Sequence, residues 1–99
     1  MPRDIDHIIA EIRLRVPDVI VRQLQVKFPA DDDGIWYFRL PDDAKGIQLE
    51  SSYGACPFLV EHSDSQAPAV EADWAKTNFN AIERVVAYLD QRRSALTDL

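Results

Sequence analysis

The chain's single cysteine, Cys56, and a histidine six positions on, His62, are the one pair whose types suggest nucleophilic chemistry. A thiol is activated when a base lies within hydrogen-bond reach, roughly 3 Å. The joining segment, CPFLVEH, reads as a strand. Six residues at ~3.3 Å each then hold the two nearly 20 Å apart, and the dyad does not close. The other histidine, His7, is the one base left for Cys56, and spacing alone does not bring it there. Buried cysteine more often packs as a small hydrophobe. No catalytic residue is expected, and the alternative kept open is a small enzyme or ligand-binding site around Cys56, Tyr53 and Glu50.

Metal and cofactor chemistry finds equally little support. Asp31-Asp32-Asp33-Gly34 is like the opening of a calcium loop, but the alternating ligand spacing is missing and position 42, where a glutamate would close the loop, holds Asp. It reads as a solvated turn. Cys56, His7 and His62 are possible zinc ligands without any zinc spacing. No phosphate-binding glycine loop and no G-x-S-x-G elbow occurs, and Ser51-Ser52 beside Glu50 read as strand residues next to a turn. The expectation is no metal and no cofactor.

The bulk properties fit one folded domain spanning residues 1–99, with 46% hydrophobic and 28% charged residues. The net charge is −6, concentrated in the middle: residues 29–73 hold two basic and ten acidic groups. Such a surface is repelled by phosphate backbones and anionic lipid, so neither nucleic acid nor membrane is an expected partner. Solubility is the plain meaning of this charge, and a basic protein partner is compatible with it. No apolar run approaches the ~18 residues of a membrane span, and MPRDIDHIIAEIR lacks the apolar stretch of a signal peptide. With one cysteine and no internal disulfide, a cytoplasmic location is expected.

The elements that would position these residues alternate in period. Ile5, Ile8, Ile9, Ile12 and Val16 recur at helical spacing, and Pro17 ends a helix placed at about residues 3–15. In VIVRQLQVKF (19–28), Leu24, Val26 and Phe28 alternate with Gln23, Gln25 and Lys27, as in a half-buried strand. The turns PADDDG and PDDAKG flank a strand at IWYFRL (35–40), and IQLESS (47–52) and CPFLVEH (56–62) follow as a hairpin. Residues 63–76 read as a crossing loop. A last helix begins at Thr77 or Asn78 with Phe79, Ile82, Val86 and Leu89 on its apolar side, and Arg92 and Arg93 complement its dipole. The fold class is α+β: a four-stranded antiparallel meander with N- and C-terminal helices packed on one face, in the order αββββα. Trp36 and Trp74 are expected in or at the edge of the core.

Within the hairpin, a Tyr53-Gly54 turn pairs Leu49 with Phe58 and Ile47 with Val60, while Pro57 marks an edge strand. Extended backwards, that register sets Phe38 against Leu49 and Leu40 against Ile47. The opposite face then carries Ile35, Tyr37, Arg39, Gln48, Glu50, Leu59 and Glu61, joined by Gln23, Gln25 and Lys27. It is either a solvated sheet surface or an interface, and tyrosine and arginine are enriched at interface hot spots. The expected binding residues are Tyr37, Arg39, Gln48, Glu50, Leu59 and Glu61. The expected partner is another protein, with a basic one compatible with the charge, or a second copy forming a homodimer.

Two resemblances bear on function. The element order is similar to that of double-stranded-RNA-binding domains, which read phosphates with a basic second helix. The last helix here is not basic enough, and that likeness implies nothing further. ESSYGACPFLVE (50–61) resembles a segment of small, mostly uncharacterised bacterial proteins, some similar to immunity proteins of toxin systems. The resemblance implies a compact acidic protein that works by binding another protein.

Overall fold

The computed structural model describes residues 3–24, 34–51, 54–62 and 74–97. Helix α1 spans Asp4–Arg15 and buries Ile5, Ile8 and Ile12, with Ile9 packed against the same core. Asp6 accepts the backbone N–H of Arg3 at 3.0 Å, which closes the first turn, and the Val16 N–H caps the last by reaching Ile12 O at 2.7 Å. Pro17 follows at once, so the helix ends where the sequence indicates.

The sheet contains β1 (Ile20–Leu24), β2 (Gly34–Arg39), β3 (Gly46–Ser51), β4 (Phe58–His62) and β5 (Trp74–Ala75), in that spatial order and all antiparallel. Among the described residues there are five strands rather than four. The added one lies in the stretch read as a crossing loop, and two residues are too few to display a period. It places β4 between β3 and β5, so β4 is not an edge strand. Pro57 instead sits just before the strand, where its missing N–H removes no ladder bond.

Two register expectations are corrected, each by two residues. Ile47 pairs with His62 and Leu49 with Val60, rather than with Val60 and Phe58. Phe38 pairs with Ile47 and Trp36 with Leu49. The β3–β4 connection is longer than a two-residue turn because Ser51 Oγ donates to Ala55 O at 2.7 Å and accepts its N–H at 3.3 Å. Gly54 follows the left-handed path there, with φ of 67°. An even shift leaves every side chain on its expected face, whereas an odd one would exchange the faces.

In β1 the phase itself differs. Val21 pairs with Phe38 and packs against the core, and Gln23 pairs with Trp36 on that same side. Ile20 and Arg22 therefore occupy the opposite face, where Gln23 was expected. Odd positions 19 and 21 and even positions 24, 26 and 28 carry conflicting apolar phases, and the first set wins over the described part of the strand. Residues 25–28, including the expected Gln25 and Lys27, lie outside the described residues, as do Asp31–Asp33, Tyr53 and 63–73.

Helix α2 spans Asn78–Thr97. Thr77 is its cap, with Oγ1 accepting the Asn80 N–H at 3.0 Å. It buries Ala81, Ile82, Val85, Val86, Tyr88 and Leu89, while Phe79, in the first turn, is 72% exposed rather than part of the apolar stripe. Both helices share one core with Trp36, Phe38, Leu49, Phe58 and Val60 on a single face of the sheet. Trp74 stands outside that core, 46% exposed.

Arg92 is not left to the helix dipole. Its guanidinium forks onto buried Asp43 in the β2–β3 turn, at 2.8 and 3.0 Å, and Asp43 also accepts the Lys45 N–H at 3.1 Å. Arg93 likewise pairs with Asp18, and Arg15 with Glu83, both on the surface where an ion pair contributes little.

The Arg92 guanidinium holds the Asp43 carboxyl below the usual carboxylate range. Such a group stabilises the fold above its unfolded pKa of ~3.9, and that contribution disappears as pH falls through the folded value. Arg92→Ala leaves the carboxylate buried without its partner and is expected to lower stability by about 2–3 kcal/mol at neutral pH. The gap in urea midpoint between wild type and Asp43→Asn should narrow as pH falls from about 7 towards about 3.

Candidate protein-binding face

The expected binding residues do share one surface. Alternation along β2, β3 and β4 directs Ile35, Tyr37, Arg39, Gln48, Glu50, Leu59 and Glu61 away from the helices, and no described element covers them. Antiparallel pairing arranges the face in transverse rows. Arg22, Tyr37, Gln48 and Glu61 form one row across β1 to β4. Ile35, Glu50, Leu59 and Trp74 form a second row across β2 to β5.

Contacts within and between the rows hold several of these side chains against the sheet. Gln48 Nε2 donates to Glu61 Oε2 at 3.0 Å. Tyr37 lies down over Gly46: a Cβ at residue 46 would come within 2.5 Å of Tyr37 Cζ and 2.6 Å of the Phe38 carbonyl oxygen. Glycine is required there by close approach. The Tyr37 hydroxyl reaches Ala44 O at 3.4 Å, and Arg39 donates to Leu40 O at 3.2 Å. Tyr37, Arg39, Gln48 and Leu59 are half-buried, and Glu50 and Glu61 exposed.

Sequence reasoning missed Arg22 and Trp74 on this face. The signal for Arg22 was the odd-position phase of Val19 and Val21. For Trp74 none existed, because the neighbour that places it, Leu59, is fixed only by the β4–β5 pairing.

Cys56 occupies a different place. Its thiol donates to Asn78 Oδ1 at 3.0 Å, and its backbone N–H donates to Asp4 Oδ2 at 3.0 Å. Asn78 Nδ2 reaches the other Asp4 oxygen at 3.3 Å, and the Ile5 N–H donates to Gly54 O at 2.9 Å. This knot joins the first turns of both helices to the β3–β4 connection. Burial, with Asp4 adding to it, pushes the thiol pKa up. His62 ends β4 and lies against Tyr88, ring centroids 5.3 Å apart, and His7 is exposed on α1. Glu50 projects from the face away from the helices, whereas Cys56 packs against the core. Among the described residues the structure brings neither histidine into contact with the thiol and gathers no cluster of three or more metal-ligating side chains.

No family model, curated protein or solved structure matches the chain. Among the described residues, no helix is long and apolar enough to cross a membrane.

Two measurements check this geometry. Gly46→Ala drives a methyl into the Tyr37 ring and the Phe38 carbonyl, and thermal unfolding should show a loss of about 1–3 kcal/mol. Because the thiolate is the reactive species, Cys56 in the folded protein should react with a disulfide reagent at least about tenfold more slowly than in urea.

Proposed function

We propose that the protein is a non-enzymatic binding module whose partner is another protein or a second copy of the chain and whose contact surface is the uncovered sheet face. One observation carries the reading: both helices lie on one side of the sheet, and the other side presents a tyrosine, two arginines, a tryptophan and partly buried aliphatics without a described covering element. Tyrosine, tryptophan and arginine are the residues over-represented where binding energy concentrates. Among the described residues of that surface there is no grouping of nucleophile, base and polarising donor that chemistry would need.

The resemblance of residues 50–61 to small bacterial proteins similar to toxin-immunity proteins points the same way, since such proteins act by occupying another protein's surface. Residues 50, 59 and 61 of that segment are on the face itself. A cytoplasmic setting suits a lone thiol that is held by Asn78 and not paired with another cysteine.

Affinity capture with the tagged protein, beside a Tyr37→Ala/Glu50→Arg variant, tests the proposal. Wild type should retain a specific protein at low salt, with less retained at moderate salt. The variant should retain at least about tenfold less while keeping wild-type circular dichroism. Equal retention by a folded variant would place the contact elsewhere.

A further inference from the structure

The charges of the uncovered face have a pattern of their own. Although residues 29–73 are strongly acidic, the described part of this face is balanced: Arg22 and Arg39 stand on β1 and β2, and Glu50 and Glu61 on β3 and β4. The positive half of the face and the negative half are thus separated by the line between β2 and β3. A basic protein would gain at one half and lose at the other. A surface divided in this way is complementary to itself.

From this charge division we infer that the face pairs with a second copy of the chain through a two-fold axis running parallel to the strands, between β2 and β3. The inference rests on the binding role assigned to this face and names its partner. Such an axis sets each copy's β1–β2 half over the other's β3–β4 half. In the row Arg22, Tyr37, Gln48, Glu61 the consequence is specific: Arg22 faces the second copy's Glu61, Tyr37 faces its Gln48, and both pairs occur twice, as a closed two-fold interface requires. Face-to-face sheets pack with their strand directions within about 30°, which agrees with an axis along the strands.

The flatness of the row suits this arrangement. Tyr37 lies against Gly46 and Gln48 is held by Glu61, so the centre is ordered before association and loses little side-chain freedom. Arg22 and Glu61 are both exposed, at the two ends of the row and roughly 14 Å apart across three strand spacings. In the second row Ile35 faces Glu50, a neutral contact at best, so selection of the partner falls to the first row.

Charge reversal tests the axis directly. Sedimentation equilibrium should show wild type dimerising with concentration, more weakly at high salt. Arg22→Glu alone and Glu61→Arg alone each bring two like-charged pairs together and should weaken the dimer at least about tenfold. An equimolar mixture of these two variants restores opposite charges at both pairs and should form a mixed dimer close to wild-type strength. That recovery also shows that both variants are folded. Wild type that stays monomeric up to about 1 mM overturns the inference, as does a dimer indifferent to both reversals. If the chain is monomeric yet Tyr37→Ala/Glu50→Arg still abolishes capture of another protein, the second-copy inference alone fails. If that folded variant also captures like wild type, the role of the face fails with it.

Discussion

Phe38 stands in one transverse row between Val21 and Ile47, and all three must point at the same two helices. That requirement governs the molecule. The helices fill one side of the sheet, so every strand has to turn its apolar residues to that same side, and a slip by one residue in any strand would carry its apolar set to the other side. The chain satisfies it with large side chains on adjacent strands: Trp36 beside Leu49, Leu49 beside Val60, and the Trp36 and Phe58 rings edge to face at 6.4 Å. The uncovered face is what this one-sided arrangement leaves over.

Parity is indifferent to shifts of two, and polar contacts at the two ends of the sheet settle what burial leaves open. At one end Asp4 takes the Cys56 N–H and the Asn78 amide, so that the first turns of both helices are tied to the β3–β4 connection. Gly54 is needed inside that knot twice over: its φ is positive, and a Cβ would meet Ile5 Cγ2 at 3.0 Å. At the other end Arg92 reaches from α2 to Asp43 in the β2–β3 turn. Both knots are only partly open to water, which makes their bonds stronger than the surface pairs of Arg15 and Arg93.

This division of labour explains what could be read from the chain. Periodicity located α1 almost to the residue, placed α2 and the strands through β4, and assigned the outward residues of β2, β3 and β4 to one face, because burial writes its parity into composition. The hairpin registers were not legible. They depend on the Ser51 hydroxyl bonding to Ala55 and on Arg92 holding Asp43, contacts that no local pattern announces. The strand β5 was missed for want of length, and β1 was read in the wrong phase because its two halves carry opposite patterns. For Cys56 the sequence question concerned histidines, while the residue that holds the thiol is Asn78, 22 positions away and in another element.

The same parity argument bears on the meaning of the uncovered face. A strand residue that contributes nothing to the core is free to be any soluble type, and a purely solvated face would be filled with small polar and charged residues. Here the outward positions include Ile35, Tyr37, Leu59 and Trp74, and Gly46 is bare so that the tyrosine ring can lie flat. The charges are also sorted, arginines on one pair of strands and glutamates on the next. Among the described residues, Gln48 and Glu61 are the outward side chains that bond to each other across strands. Sorting by sign therefore adds little to the stability of the monomer, since an arginine directly opposite a glutamate on the neighbouring strand would do that better. Its effect is on what approaches from outside: the two halves attract a surface divided the other way and gain nothing net from one of uniform sign.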